Sequence, residues 1–240
     1  MAGMLKTFFS FIIWPIWYAF FIPSLLFLFI TIILIPRNLL HYFVRPICWA
    51  YCLFAGQWLK RINMPPKKDN GPYIYMFNHV SMFDQFMIGA YIPYYITAIA
   101  AIEVFKYPIF GFIIKKYGVI PIVRQKIKKA IGSLNLAEEA IREGTSFLIS
   151  PEGTRTLNGE IGPFKKGPFH LAKNTNATIV PIALKGGFRA KKKSDWRIQP
   201  GILTIVFGDP IESSQFETCS IKDLQSLVLT KILELKKGSL

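Results

Sequence analysis

Residues 7–36 carry no charged side chain of either sign. As a helix, at about 1.5 Å per residue, residues 8–35 exceed the ~30 Å hydrocarbon thickness of a bilayer, so this run reads as a membrane-entering segment. Pro15 and Pro23 within it suggest a kink or a re-entrant bend. A cleaved secretory signal is the competing reading. Its apolar core runs roughly 7–15 residues, however, and no small-x-small site follows here. A second apolar stretch, residues 38–59, contains His41, Arg45 and Pro46. Those residues suit an interfacial or hairpin partner better than a second span. Residues 1–62 are therefore expected to form a membrane-embedded helical pair. Arg37, Arg45, Lys60, Arg61, Lys67 and Lys68 crowd its C-terminal flank, Lys6 stands alone on the other side, and no acidic residue precedes Asp69. This bias places the chain in a membrane, inner, cytoplasmic or organellar, with residues 63–240 facing the cytoplasm.

With 240 residues the chain is long enough for one domain with a sizeable core and an appendage. Hydrophobic residues make up 52% and charged residues 18%, which excludes intrinsic disorder. The formal charge of +15 points to an acidic partner: anionic lipid, nucleic acid or a phosphorylated substrate. Cys48, Cys52 and Cys219 are odd in number, and the first two sit in an apolar run without His or acidic ligands. Neither a disulfide framework nor a metal site is expected. Turn formers at residues 65–72 mark a boundary, after which β-rich runs at Tyr73–Phe77, 95–100, 119–123, Ser146–Ile149, 178–184 and 202–207 alternate with helical stretches at Asp84–Tyr91, 103–116, 126–143 and Ile221–Lys237. This alternation predicts an α/β domain over residues 63–240 with a central mixed, largely parallel sheet flanked by helices. Ligands of such sheets sit beyond the carboxyl ends of the strands.

The loop after the first of these strands reads Asn78-His79-Val80-Ser81-Met82-Phe83-Asp84. A histidine steadied by a carboxylate is the pairing that general-base catalysis needs. On one continuous helix, positions i and i+5 lie about 140° apart, so the pair meets only if His79 stands in the turn and Asp84 in the first helical turn. Ser81-x-x-Asp84 is a capping-box pattern that supports such a start, and the same pattern also fits a plain helix cap. A second loop, Ser150-Pro151-Glu152-Gly153-Thr154-Arg155, offers close backbone approach at Gly153, a Thr154 hydroxyl and the planar Arg155 fork suited to phosphate. An ordinary Pro-Glu-Gly turn would have the same composition. Arg124 closes the run Gly118-Val119-Ile120-Pro121-Ile122-Val123. Basic strand ends around one histidine form a site for a phosphorylated acceptor with a hydroxyl to deprotonate.

The ordered set Asn78-His79-x4-Asp84, Gly118-x5-Arg124, Pro151-Glu152-Gly153-Thr154-Arg155 and Val180-Pro181-Ile182-Ala183 resembles the glycerolipid acyltransferases, and within them the lysophosphatidic acid acyltransferases. The resemblance covers residues 65–210. It implies transfer of an acyl group from acyl-CoA or acyl carrier protein, a co-substrate rather than a bound cofactor, to the free hydroxyl of a lysophospholipid. It also implies His79 as base, Asp84 as its orienting partner, and Arg124, Glu152, Gly153, Thr154 and Arg155 around the acceptor and its phosphate. The residues alone leave Glu152 as a loop buttress. With a thiolate as leaving group, no metal is required, and Ser81 as a nucleophile is a minor alternative. Where the family often has lysine, this chain has Ala101, which leaves Lys106 as the nearby cation. Anionic membrane phospholipid is the expected partner besides acceptor and donor, and nucleic acid is not. The run from Arg189 to Arg197 reads as a solvated loop or a lipid-surface contact. The alternatives are an acyltransferase with another lysolipid acceptor and a non-enzymatic basic, membrane-anchored binding module.

Overall fold

The computed structural model describes residues 2–238. The chain opens with α1 (Ala2–Leu34), a single helix that contains both Pro15 and Pro23 and makes no re-entrant break. A short 3-10 turn leads into α2 (His41–Phe54). Then follow β1 (Gln57–Ile62), β2 (Tyr73–Phe77), α3 (Asp84–Tyr91), β3 (Ile96–Ala101), α4 (Pro108–Tyr117), β4 (Ile120–Ile122), α5 (Ile127–Arg142) and β5 (Ser146–Ile149). The chain continues with α6 (Gly167–Thr175), β6 (Thr178–Lys185), α7 (Gly187–Ala190), β7 (Gly201–Phe207) and α8 (Ile221–Lys237).

The strands form one sheet in the order β1-β7-β6-β2-β5-β3-β4. Neighbours are parallel except β6 and β7, so β1 and β7 run against the other five. The sheet is thus mixed and largely parallel, as the alternating pattern predicts. Every residue of β2 and β5 is buried, which explains why these strands read as unbroken apolar runs. Tyr73, Tyr75 and Phe77 face one side of the sheet and pack with residues of α1, α2, α3 and α4. Ile74 and Met76 face the other side and meet α5, α6 and α8. Pro181, inside β6, is accommodated because the ladder to β7 begins only at Ile182.

The sheet corrects the expected division of the chain at residue 62. Residues 57–62, read as the end of the anchor, are β1, an edge strand in parallel register with β7 from Gln57↔Gly201 to Ile62↔Val206. Nor is α1 a detached appendage, because its Ile13, Trp17 and Leu28 belong to the same buried cluster as Tyr75 and Phe207. Trp17 Nε1 donates to the Tyr51 carbonyl of α2 at 3.0 Å, and the Ser24 and Tyr51 hydroxyls lie 2.7 Å apart. α1 is nonetheless the one helix among the described residues that is long and apolar enough to cross a membrane. Phe8, Phe11, Ile22, Leu26, Ile33 and Leu34 remain exposed on its outer face. The helix expected over 103–116 divides into a 3-10 turn at Ile102–Lys106 and α4, which starts at Pro108. The short helices α6 and α7 go beyond the sequence reading.

Candidate active site

β2 delivers His79 to the carboxyl end of the sheet, and several hydrogen bonds fix the turn that follows. The Asn78 side-chain amide donates to the Leu184 carbonyl at 3.0 Å, and its oxygen accepts from the Leu184 N–H at 2.7 Å, clamping the turn to β6. The His79 carbonyl accepts from the Thr156 N–H at 2.9 Å. α3 begins at Asp84, so the chain folds back between Val80 and Phe83 and the His–Asp pair closes across it. His79 Nδ1 lies 2.7 Å from Asp84 Oδ2, and the same oxygen accepts the N–H groups of Val80 at 2.7 Å and Ser81 at 2.9 Å. Asp84 is fully buried. A carboxylate can only accept, so Nδ1 carries the proton and Nε2 is left with its lone pair as a base. Half of the capping box is formed: Asp84 reaches back to the Ser81 N–H, whereas Ser81 Oγ donates away to the Lys191 carbonyl at 3.1 Å.

Glu152 sits behind this turn. Its Oε1 accepts from the His79 N–H at 2.7 Å and its Oε2 from the Gly162 N–H at 2.8 Å. Burial raises its carboxyl pKa, and the two N–H donors oppose that shift. With both oxygens engaged by backbone N–H groups, Glu152 braces the histidine turn, the buttress role that the residues alone suggest. Gly153 adopts the left-handed conformation at φ 69°, closing the tight turn that brings Thr154 and Arg155 round. Gly187 explains a second close approach. A Cβ there would meet Val80 Cγ2 at 2.9 Å, Ser81 Cβ at 3.0 Å and Asp84 Oδ1 at 3.4 Å, so only glycine lets the chain after β6 pass over the turn.

Cationic side chains lie on the loops next to the histidine turn. Arg155 is half-buried and interacts electrostatically with Lys191, whose pKa is lowered first by burial and then by Arg155. Lys191 itself turns inward and donates to the carbonyls of Lys192 and Asp195. The loop it holds presents Lys193, whose Nζ donates to Thr154 Oγ1 at 3.0 Å. Lys193 thus joins two loops at the site and was read from sequence only as part of a charge run. The Gly186-Gly187 pair after an apolar strand was the signal that this segment folds back over the turn.

The sheet order separates the remaining candidates. Arg124 follows β4, three strand spacings or about 14 Å from β2 across the sheet, and Lys106 ends the turn after β3. Arg124 is exposed and lies near Glu103; partial desolvation lowers its pKa and the carboxylate opposes this. Lys106 is exposed. The structure thus brings His79, Asp84, Glu152, Gly153, Thr154 and Arg155 together and leaves Arg124 and Lys106 at the far flank.

Comparison with known proteins bears on the fold and the family. A solved structure, the 1-acyl-sn-glycerophosphate acyltransferase PlsC of Thermotoga maritima, superposes with a TM-score of 0.79 over 99% of this chain and 97% of its own, at 21% identity. That likeness establishes the fold. A 1-acyl-sn-glycerol-3-phosphate acyltransferase of Cocos nucifera is 36% identical over 60% of this chain and 47% of its own length. One of Limnanthes douglasii is 33% identical over 65% of this chain and 56% of its own length. The chain therefore spans about half the length of these curated relatives. The Acyltransferase family model matches residues 60–185, more than half of the 240, and takes in the His79 turn, Arg124 and the Glu152–Arg155 loop; the chain belongs to the acyltransferase family.

Proposed function

We propose that the protein transfers an acyl group from an acyl thioester, carried by coenzyme A or acyl carrier protein, to the free hydroxyl of 1-acylglycerol-3-phosphate, giving phosphatidic acid. The observation that carries this reading is the 2.7 Å contact between His79 Nδ1 and an Asp84 carboxylate already held by two backbone N–H groups. Nε2 takes the hydroxyl proton as the oxygen attacks the thioester carbonyl carbon. The C–S bond then breaks, and the proton passes from the imidazolium to the departing thiolate. Asp84 steadies the imidazolium without itself being protonated. A covalent serine intermediate is disfavoured, because Ser81 is fully buried and its hydroxyl is tied to the Lys191 carbonyl. Arg155, Thr154 and Lys193 are the groups placed to take the acceptor phosphate, and Arg124 with Lys106 flanks the route toward β4. The names of the Cocos and Limnanthes relatives support the acceptor class.

The exposed apolar face of α1 supports a membrane location, with the basic flank of α2 and β1 holding the site at headgroup level on the cytoplasmic side. The test is an assay of the full chain in detergent against a panel of lysolipids with both donor types, read by product mass. Phosphatidic acid as the main product is expected. Ala101 lies at the end of β3 where the family often has lysine, so a different lysolipid as preferred acceptor would revise the headgroup while keeping the chemistry. Absence of any acyl product with every acceptor would overturn the reading.

A further inference from the structure

The outer stripe of α2 is distinct from the site just described. Tyr42, Arg45, Trp49, Ala50 and Leu53 line a groove whose floor includes Ala90 of α3. Positions 42, 45, 49 and 53 follow the helical period, so they form one continuous face. Most of this face is apolar, with Tyr42 and Leu53 exposed. One cation breaks it, near the Tyr42 end. The Nε of Arg45 is buried without a hydrogen-bond partner, and among the described residues no carboxylate pairs with this side chain. No acid is close in sequence either, since Asp69 is the first in the chain. The charged groups that act on neighbouring His41 are Arg45 and Lys68, both cations. A half-exposed arginine fork with no carboxylate partner calls for an anionic acceptor with several oxygens.

The rest of the groove specifies what is attached to that anion. From Tyr42 to Leu53 the helix rises about 16 Å, long enough to carry much of one acyl chain along its face. Trp49 supplies a broad apolar wall along this path, and its ring is fixed edge-on to Tyr91 at 6.1 Å. α1, packed beside α2 through Trp17 and Tyr51, exposes its own apolar face alongside. We propose that this groove is a binding site for one anionic phospholipid, with the headgroup phosphate on Arg45 and an acyl chain laid along Trp49, Ala50 and Leu53. It is a site separate from catalysis, and it does not rest on the proposed acyl-transfer reaction.

The test uses the full chain in neutral detergent, titrated with phosphatidylglycerol or with phosphatidylcholine of the same acyl chains, and followed by native mass spectrometry. Wild type should hold one phosphatidylglycerol at least tenfold more tightly than phosphatidylcholine. Arg45→Gln should reduce that preference to twofold or less, while Arg155→Gln, at the candidate active site, should leave it in place. Preference unchanged in Arg45→Gln, or lost in Arg155→Gln alone, overturns the proposal, the latter because the anion would then sit on the catalytic rim. An excess of inorganic phosphate should leave the lipid bound; displacement by phosphate would mean a simple anion site and would also overturn it. Should Arg45→Gln fail to melt cooperatively, Leu53→Asn tests the chain-binding end. It should weaken both lipids several-fold without altering their ratio, and unchanged binding of both would reject the groove.

Discussion

In the turn between β2 and α3, Asn78, His79, Val80, Ser81 and Asp84 are bonded to one another or to neighbouring strands and loops, and Asp84 is fully buried. Around it, the Thr154 to Lys193 contact is solvent-exposed, and Arg155 touches its neighbours through charge more than through fixed hydrogen bonds. On the proposed reaction the two regions divide the work physically. A preorganised base costs little reorganisation during the reaction, so its loss falls on kcat. A cationic rim that attracts and orients the proposed anionic acceptor would place its loss on acceptor KM.

Substitutions should separate the two. His79→Ala should lower turnover by roughly 10²–10⁴-fold or more, with melting temperature and membrane association retained. A fall confined to KM would place His79 in the rim instead. Glu152→Gln replaces one acceptor oxygen by an amide donor facing a backbone N–H, and so should destabilise the fold by about 1–3 kcal/mol and lower kcat. The cooperative melt and steady-state kinetics check this; a pure KM effect would return Glu152 to the acceptor. Arg155→Lys keeps the charge but loses the planar fork, so acceptor KM should rise more than donor KM. Lys193→Ala should act in the same direction by a smaller factor, because that lysine is exposed and screened. Equal effects on both substrates would make either residue structural.

The smallest effect concerns the latch between α1 and the rim loop. Lys6 and Arg197 hold the Asp195 carboxyl well below the usual carboxylate range, with the Arg197 hydrogen bonds as the largest cause. A depressed folded-state pKa contributes stability that is complete above the unfolded value, about 3.9, and is lost as pH falls through the folded value. Asp195→Asn should therefore lower the melting temperature slightly at neutral pH and less in strong acid. A difference that grows toward acid would contradict the latch.

Much of this was readable from the chain, and the gaps have physical causes. β2, β5 and β6 are buried on both faces, so their sequences are plain apolar runs, and the His79–Asp84 pair was legible because its i+5 spacing requires the turn that forms. β1 was hidden because Gln57-Trp58-Leu59-Lys60-Arg61-Ile62 is an edge strand whose exposure does not alternate cleanly, with Lys60 and Arg61 both exposed, following directly on an apolar helix. α6 was missed because Gly167-Pro168 opens it and Lys173-Asn174-Thr175 closes it, leaving too few turns for a helical period to emerge. Lys193 and the buttressing of Glu152 depend on contacts between residues far apart in sequence, which no local pattern encodes.

The central claim is that His79 and Asp84 act as one catalytic unit. A cycle of His79→Ala, Asp84→Asn and the double variant, each confirmed folded by a cooperative melt and assayed for acyl transfer by product mass, tests it directly. If Asp84 works only through the imidazole, the double variant loses no more than His79→Ala alone, within about threefold, because residues acting as a unit are non-additive. If the two losses multiply, Asp84 acts independently of His79 and the account is wrong.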